Sequence, residues 1–246
     1  MMVDYASICE VGSREVNEDC IAAARKQEKY CFVVCDGLGG HGMGDLASQF
    51  VARTFAEQFE RCDSCKDFLP TAFSEAQERL TAYQKENNAA NKMRTTAAVL
   101  VLDEQYAYIG HVGDSRVYVF DDNGIKRRTI DHSVPQMLAL AGEITPEEIR
   151  KHPDRNRILR AMGTDWERPM FELCPPLART ACKGFLLCSD GFWEYIDEKE
   201  MQAALDGSKT AKQWLKTMQA IVEKNGKREN MDNYSAIAVL CAEATI

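Results

Sequence analysis

YCFVVCDGLGGHGMGDLAS, residues 30 to 48, is where the chain shows what it is built around. Cys31 to Cys35 is an apolar run of the length of a buried strand. It breaks at Asp36 into a glycine-rich turn, after which Leu46, Ala47, Phe50, Val51, Phe55 and Phe59 recur at helical spacing. The spacing predicts a helix from about Met43 to Arg61. A carboxylate at the end of a buried strand is costly without a cationic neighbour. The expected neighbour is a divalent metal, with the rest of the chain supplying further ligands.

Gly37, Gly39 and Gly42 also spell G-x-G-x-x-G between a strand and a helix, the dinucleotide fingerprint. Three features oppose that reading. Asp36 would push negative charge at a pyrophosphate. The second parallel strand with its ribose-binding acid, due about 20 residues on, is replaced by the polar stretch Arg61 to Asp67. No G-K-[ST] follows either.

Outward from this stretch, Asp4 to Val11 reads as a strand, and Gly12 to Asp19 as a polar turn holding Arg14 and Glu18. Ile21 to Ala24 pairs with Tyr30 to Cys35 as a hairpin through Lys26 to Lys29. A second helix is expected from about Asp67 to Asn88. Ala97 to Leu102, Tyr106 to His111, Ser115 to Phe120 and Ile125 to Ile130 are strand-like and joined by short turns. Such links predict an antiparallel meander, and two consecutive helices before it make the class α+β. Asp131 to Trp166 reads as helical pieces and loop, broken by Pro146, Pro153 and Gly163, and basic through Arg150, Lys151, Arg155, Arg157 and Arg160. Gly184 to Cys188 is a buried strand ending at Ser189-Asp190-Gly191. Ser208 is expected to cap a helix ending at Gly226. The polar stretch Lys227 to Asn233 then leads to a last strand, Tyr234 to Ala242. No linker or repeat divides the chain, so one domain is expected over residues 1 to 246.

The 246 residues carry a net charge of −8, which argues against nucleic acid and anionic membrane as main partners. No apolar run approaches the ~20 residues of a membrane span, and the first residues have no signal-peptide pattern. The ten cysteines have neither disulfide nor zinc-framework spacing, Cys62-x-x-Cys65 being a single pair. They read as free thiols in a reducing cytoplasm.

Acids recur where strands meet turns: Glu18-Asp19, Asp36-Gly37, Gly113-Asp114, Ser189-Asp190-Gly191 and Asp232-Asn233. Strand ends of one sheet system gather at one edge, so these groups can converge. Carboxylates without interleaved histidine suit Mg²⁺ or Mn²⁺ rather than zinc. Two such ions about 3.5–4 Å apart would activate water against a phosphoryl group, which the Arg14 fork would hold. Asp103, Asp121 and Asp122 read as turn residues. Asp131-His132 either caps the following helix or reaches the site.

Taken together the motifs resemble the metal-dependent serine/threonine protein phosphatases of type 2C. They are Gly12-x-Arg14-x-x-Asn17-Glu18-Asp19, Asp36-Gly37-x-Gly39-Gly40-His41, Thr95-Thr96-Ala97, Gly113-Asp114-Ser115-Arg116, Asp131-His132, Ser189-Asp190-Gly191-Phe192-Trp193 and Asp232-Asn233, in the family's order. Length and spelling look most like bacterial members made of the catalytic domain alone. The resemblance implies two antiparallel sheets face to face, flanked by helices. It implies that Asp36, the Gly37 carbonyl, Asp190 and Asp232 hold paired Mn²⁺ or Mg²⁺, with Glu18 close to one ion. Asp114 with Asp190 would hold a third, weaker ion. Arg14 would bind substrate phosphate, Asp19 and Asn233 would support the ligands, and residues 142 to 162 would form a flap. Leu38 stands where many eukaryotic members have the histidine assigned as general acid, and His41 lies three residues further on, so no general acid is named. The implied partners are phosphorylated proteins, with a serine/threonine kinase acting in opposition, and a monomer is the default.

No Cys-x₅-Arg occurs, and four histidines do not make a calcineurin-type site, so other phosphatase chemistries lack support. A phosphoprotein-binding module of the same fold would be expected to lose metal ligands, yet all the matched acids are present. A two-metal nuclease would need a basic track.

Overall fold

The computed structural model describes residues 3–38, 42–90, 92–226 and 231–241. Gly39, Gly40 and His41 of the glycine-rich turn, residues 227–230 and Ala242 lie outside the described residues. The strands are β1 (Val3–Glu10), β2 (Asp19–Lys26), β3 (Lys29–Asp36), β4 (Ala97–Leu102), β5 (Tyr106–Val112), β6 (Arg116–Asp121), β7 (Gly124–Arg128), β8 (Glu172–Leu173), β9 (Leu177–Ala178), β10 (Gly184–Cys188) and β11 (Tyr234–Cys241). The helices are α1 (Gly44–Arg61), α2 (Phe68–Glu86), α3 (Val134–Leu140), α4 (Asp190–Trp193), α5 (Glu198–Asp206) and α6 (Ala211–Gly226).

The strands form two antiparallel sheets. One has the order β1-β11-β10-β6-β7, the other β2-β3-β4-β5-β8, with β9 also on β5. The unbroken apolar run in β3 follows from burial on both faces. Phe32 and Val34 pack between the sheets with Leu100, Val119, Phe185, Leu187 and Val239. Cys31, Val33 and Cys35 face the other way, under Val51, Phe55, Phe59 and Phe73 of α1 and α2. On the outer face of the β1-β11-β10-β6-β7 sheet, Trp214, Met218 and Val222 of α6 and Met201 and Leu205 of α5 cover Tyr118, Leu186 and Ala238. Each fully buried side chain of this size contributes about 1.5–3 kcal/mol. The layers are helix, sheet, sheet, helix, as the resemblance implied.

The expected meander is not formed. β4 pairs with β5 in one sheet and β6 pairs with β7 and β10 in the other. Residues 113 to 115 carry the chain across from sheet to sheet. A short turn reads the same in sequence whether it returns a strand to its neighbour or hands it to the facing layer. Here Gly113 takes φ 97°, and a Cβ on it would lie 2.6 Å from the Thr96 side chain. Ser208 does not cap α6. Its hydroxyl donates back to the Ala204 carbonyl at 2.7 Å, closing α5, and Thr210 Oγ1 accepts from Gln213 N at 3.2 Å instead.

Candidate active site

β2 and β3 pair so that Asp19 and Asp36 stand opposite one another at the end of the hairpin. The Asp36 backbone is clamped from both sides. Its N–H donates to Thr96 Oγ1 at 2.9 Å, and its carbonyl accepts from Thr96 N and Thr95 Oγ1, each at 2.8 Å. Gly37 N donates to the Glu18 carbonyl at 3.0 Å. A Cβ on Gly37 would lie 2.3 Å from the Gly44 carbonyl oxygen, so only glycine lets α1 start this close. Glu18 in turn accepts from the Gly44 N–H with its side chain, at the positive end of α1.

From the facing sheet, β10 ends at Cys188 and α4 starts at once with Asp190. A Cβ on Gly191 would lie 2.1 Å from the Asn233 carbonyl, which is how closely the segment before β11 lies against α4. Asn233 ties that segment to the first turn. Its side chain accepts from Glu18 N at 2.8 Å and donates to the carbonyls of Val11 and Val16 at 2.8 and 3.0 Å. Ser189 Oγ donates to Asp19 Oδ2 at 2.7 Å and accepts from Ser235 N at 2.9 Å. Asp19 and Asn233 thus hold their neighbours in place.

The structure brings the predicted acids to one edge of the two sheets, where they repel one another. The Asp36 carboxyl is held well above the usual range by burial and by Asp190, and it hydrogen-bonds the Asp190 carboxylate. Asp114 is likewise held well above the usual range, by burial and then by Asp190. Both its oxygens are buried without a hydrogen-bond partner. Burial pushes Asp19 up to about 7, and Asp190 and Glu18 are raised for the same reason, Asp190 also by Asp232. Oxygen donors alone, two of them orphaned, in a crowd of like charges, fit a hard divalent cation.

A model of the protein phosphatase 2C family matches residues 11–234. The chain belongs to that family. The Listeria welshimeri serine/threonine phosphatase stp is 29% identical over 191 residues, covering 75% of each chain. The crystal structure of the serine/threonine phosphatase Stp1 from Staphylococcus aureus superposes with a TM-score of 0.90 at 30% identity, over 99% of this chain and 96% of that one. The catalytic domain of PstP, solved in complex with two manganese ions, shares the fold with a TM-score of 0.79 at 24% identity, over 98% of this chain and 99% of that one.

The structure of this phosphatase also gives partners to the other residues that the sequence singled out. Arg14 forks both oxygens of Asp232, at 3.0 and 2.9 Å, with the pair half-exposed at the mouth of the site. Asp131 does not cap α3, and its charge adds to those that raise Asp114. It takes the fork of the buried Arg116 at 2.9 and 2.6 Å. Three of the five basic residues between 150 and 160 are engaged with acids from beyond that stretch of the chain. Arg150 pairs with Glu198 at 2.8 Å, Arg155 with Glu194 at 3.0 Å and Arg160 with Glu172 at 2.9 Å. Asp103 and Asp121 accept from turn amides, as expected of them.

Glu194 was not anticipated. Burial and Asp190 push it up to about 7, against the pull of Arg155. Its only sequence signal is its place one turn after Asp190. Among the described residues His111, His132 and Glu172 also cluster, with one ligand atom of each within 4.8 Å of the others. His111 Nε2 is bound to the Ile130 carbonyl, His132 Nδ1 accepts from Gly113 N, and Arg160 lies on both His132 Nε2 and Glu172. His111 Nδ1 is buried without a hydrogen-bond partner, but the Arg160 guanidinium on His132 Nε2 and Glu172 opposes a cation there, and the cluster ties β5 to residues 132, 160 and 172.

Proposed function

We propose that the chain is a metal-dependent serine/threonine phosphoprotein phosphatase, one catalytic domain with residues 142 to 162 as its flap. Asp36, the Gly37 carbonyl, Asp190 and Asp232 would hold two Mn²⁺ or Mg²⁺ ions, with Glu18 beside them, and Asp114 with Asp190 a third, weaker one. When bound, the ions supply an activated water and neutralise charge on the phosphoryl group. The chain's own residues do the rest. Thr95 and Thr96 hold the Asp36 backbone, Ser189 orients Asp19, and Asn233 joins the first turn to the Asp232 segment. Arg14, at the mouth, is the group that reaches a substrate phosphate, and its fork matches phosphate as it matches the Asp232 carboxylate.

The observation that carries this reading is the convergence of Asp36, Asp114 and Asp190 from three separate corners of the two sheets, with Asp114 left without a partner. Phosphorylated proteins are the substrates and a serine/threonine kinase the opposing activity. No helix among the described residues is long and apolar enough to cross a membrane. All ten cysteines are free, which supports a reducing, cytoplasmic setting. Hydrolysis of p-nitrophenyl phosphate and of a phosphothreonine peptide, with Mn²⁺ and with chelator, tests the reading. Turnover that survives chelation, or survives Asp36→Asn, overturns it.

A further inference from the structure

Asp114 has no partner for its carboxylate, but its backbone is held with unusual care. Gly113 N donates to His132 Nδ1 at 3.1 Å, and His132 N returns a bond to the Gly113 carbonyl at 2.9 Å. On the other side Ser115 Oγ meets Thr96 Oγ1 at 2.7 Å. The Asp114 carbonyl itself accepts from the indole Nε1–H of Trp193 at 3.0 Å. Trp193 is the last residue of α4, whose first residue is Asp190. Residues three apart lie on the same side of a helical turn. One rigid turn therefore bears the Asp190 carboxylate and, one step along the same side, the donor that locates Asp114.

The indole is itself immobilised. The Arg116 guanidinium lies 3.4 Å from the ring centroid, and Arg116 is held by the two-pronged bond to Asp131 and by donating to the Tyr118 hydroxyl at 2.9 Å. Arg116, Trp193 and Asp131 are all buried. A buried ion pair adds little to stability over an apolar core of the same volume. What it provides here is orientation: a planar cation clamped against a planar ring, and a ring N–H aimed at one carbonyl.

We propose that Trp193, braced by the Arg116–Asp131 pair, is a positioning residue that sets the spacing of Asp114 and Asp190, and through it the affinity of that pair for the weaker divalent ion. The inference rests on the functional reading above, and its test separates the two. Trp193→Phe keeps the ring and removes the N–H. In a calorimetric titration with Mn²⁺ the tighter ions bind Trp193→Phe as they bind wild type. The weaker ion binds about tenfold less tightly, the size usual for losing a group that orients a ligand. Asp114→Asn removes the weaker phase altogether. Independently of any variant, the Trp193 resonance of wild-type protein labelled with 5-fluorotryptophan shifts in step with the weaker phase when Mg²⁺ is added. Equal weakening of all phases in Trp193→Phe, superimposable wild-type and variant curves, or a wild type with tight ions and no weaker one each overturns this inference and leaves the phosphatase reading standing. A wild type that binds no Mn²⁺ overturns both.

Discussion

Trp193 touches two groups of buried charge that the protein treats in opposite ways. On its face lies Arg116, matched to Asp131 by two bonds and to Tyr118 by a third. At its N–H lies the Asp114 segment, whose carboxylate has no partner and faces the like charge of Asp190. A satisfied pair is indifferent to its surroundings. An unsatisfied set stores electrostatic cost that a cation relieves. The contrast teaches that around Trp193 the paired buried charges are architecture and the unpaired ones are chemistry.

The largest effect that can break the contrast is on rate. Asp190→Asn or Asp36→Asn is expected to lower turnover of a phosphothreonine peptide by on the order of a thousandfold, the worth of several kcal/mol of metal-borne charge stabilisation. The same substitutions leave the melting temperature in chelator unchanged or higher, because like-charge repulsion is removed. A fall in both would put Asp36 among the architectural charges. On the paired side, Asp131→Asn strands a buried guanidinium and should cost about 3–5 kcal/mol of stability by urea unfolding. A loss below ~1 kcal/mol would mean that Arg116 finds water or another acid.

Acidity sharpens the same line. In the native state Asp19 is raised to about 7, and Asp36 and Asp114 are raised well above their ordinary values. The folded protein therefore binds more protons than the unfolded chain. This contribution to stability is complete below the ordinary carboxylate range and is lost as pH rises through about 7. In chelator, scanning calorimetry should show a melting temperature that falls from pH ~5.5 to ~8, and Mn²⁺ should flatten the slope. A flat profile in chelator would remove the unpaired acids from the account. The smallest effect is expected within residues 142 to 162, where Arg155→Ala removes a half-exposed partner of Glu194 and should change stability by less than about 1 kcal/mol.

What was legible in the sequence was local. Ala97 to Leu102 declares itself by an apolar run, and Asp36 and Asp190 by strands that end in Asp-Gly. The convergence of the acids followed because strand ends share an edge. What stayed hidden depends on the partner across the fold. Asp131 is 15 residues from Arg116, and Arg14 is 218 from Asp232. Arg155 looks like a surface charge until Glu194, 39 residues on, is seen against it. The turn at 113 to 115 could not announce a change of sheet, because its length permits either outcome. The orienting hydroxyls of Thr96 and Ser189 carry no mark of their own beyond the motifs they sit in.

β11 lies between β1 and β10, pairing with the first strand along its whole length from Val3↔Cys241 to Glu10↔Tyr234. Among the described residues β11 is the sheet neighbour of β1, so β1 docks only once β11 is in place. Asp232 arrives with that strand. Fixing the Asp232 side of the cluster therefore depends on the mutual pairing of β1, β11 and β10 rather than on any local turn.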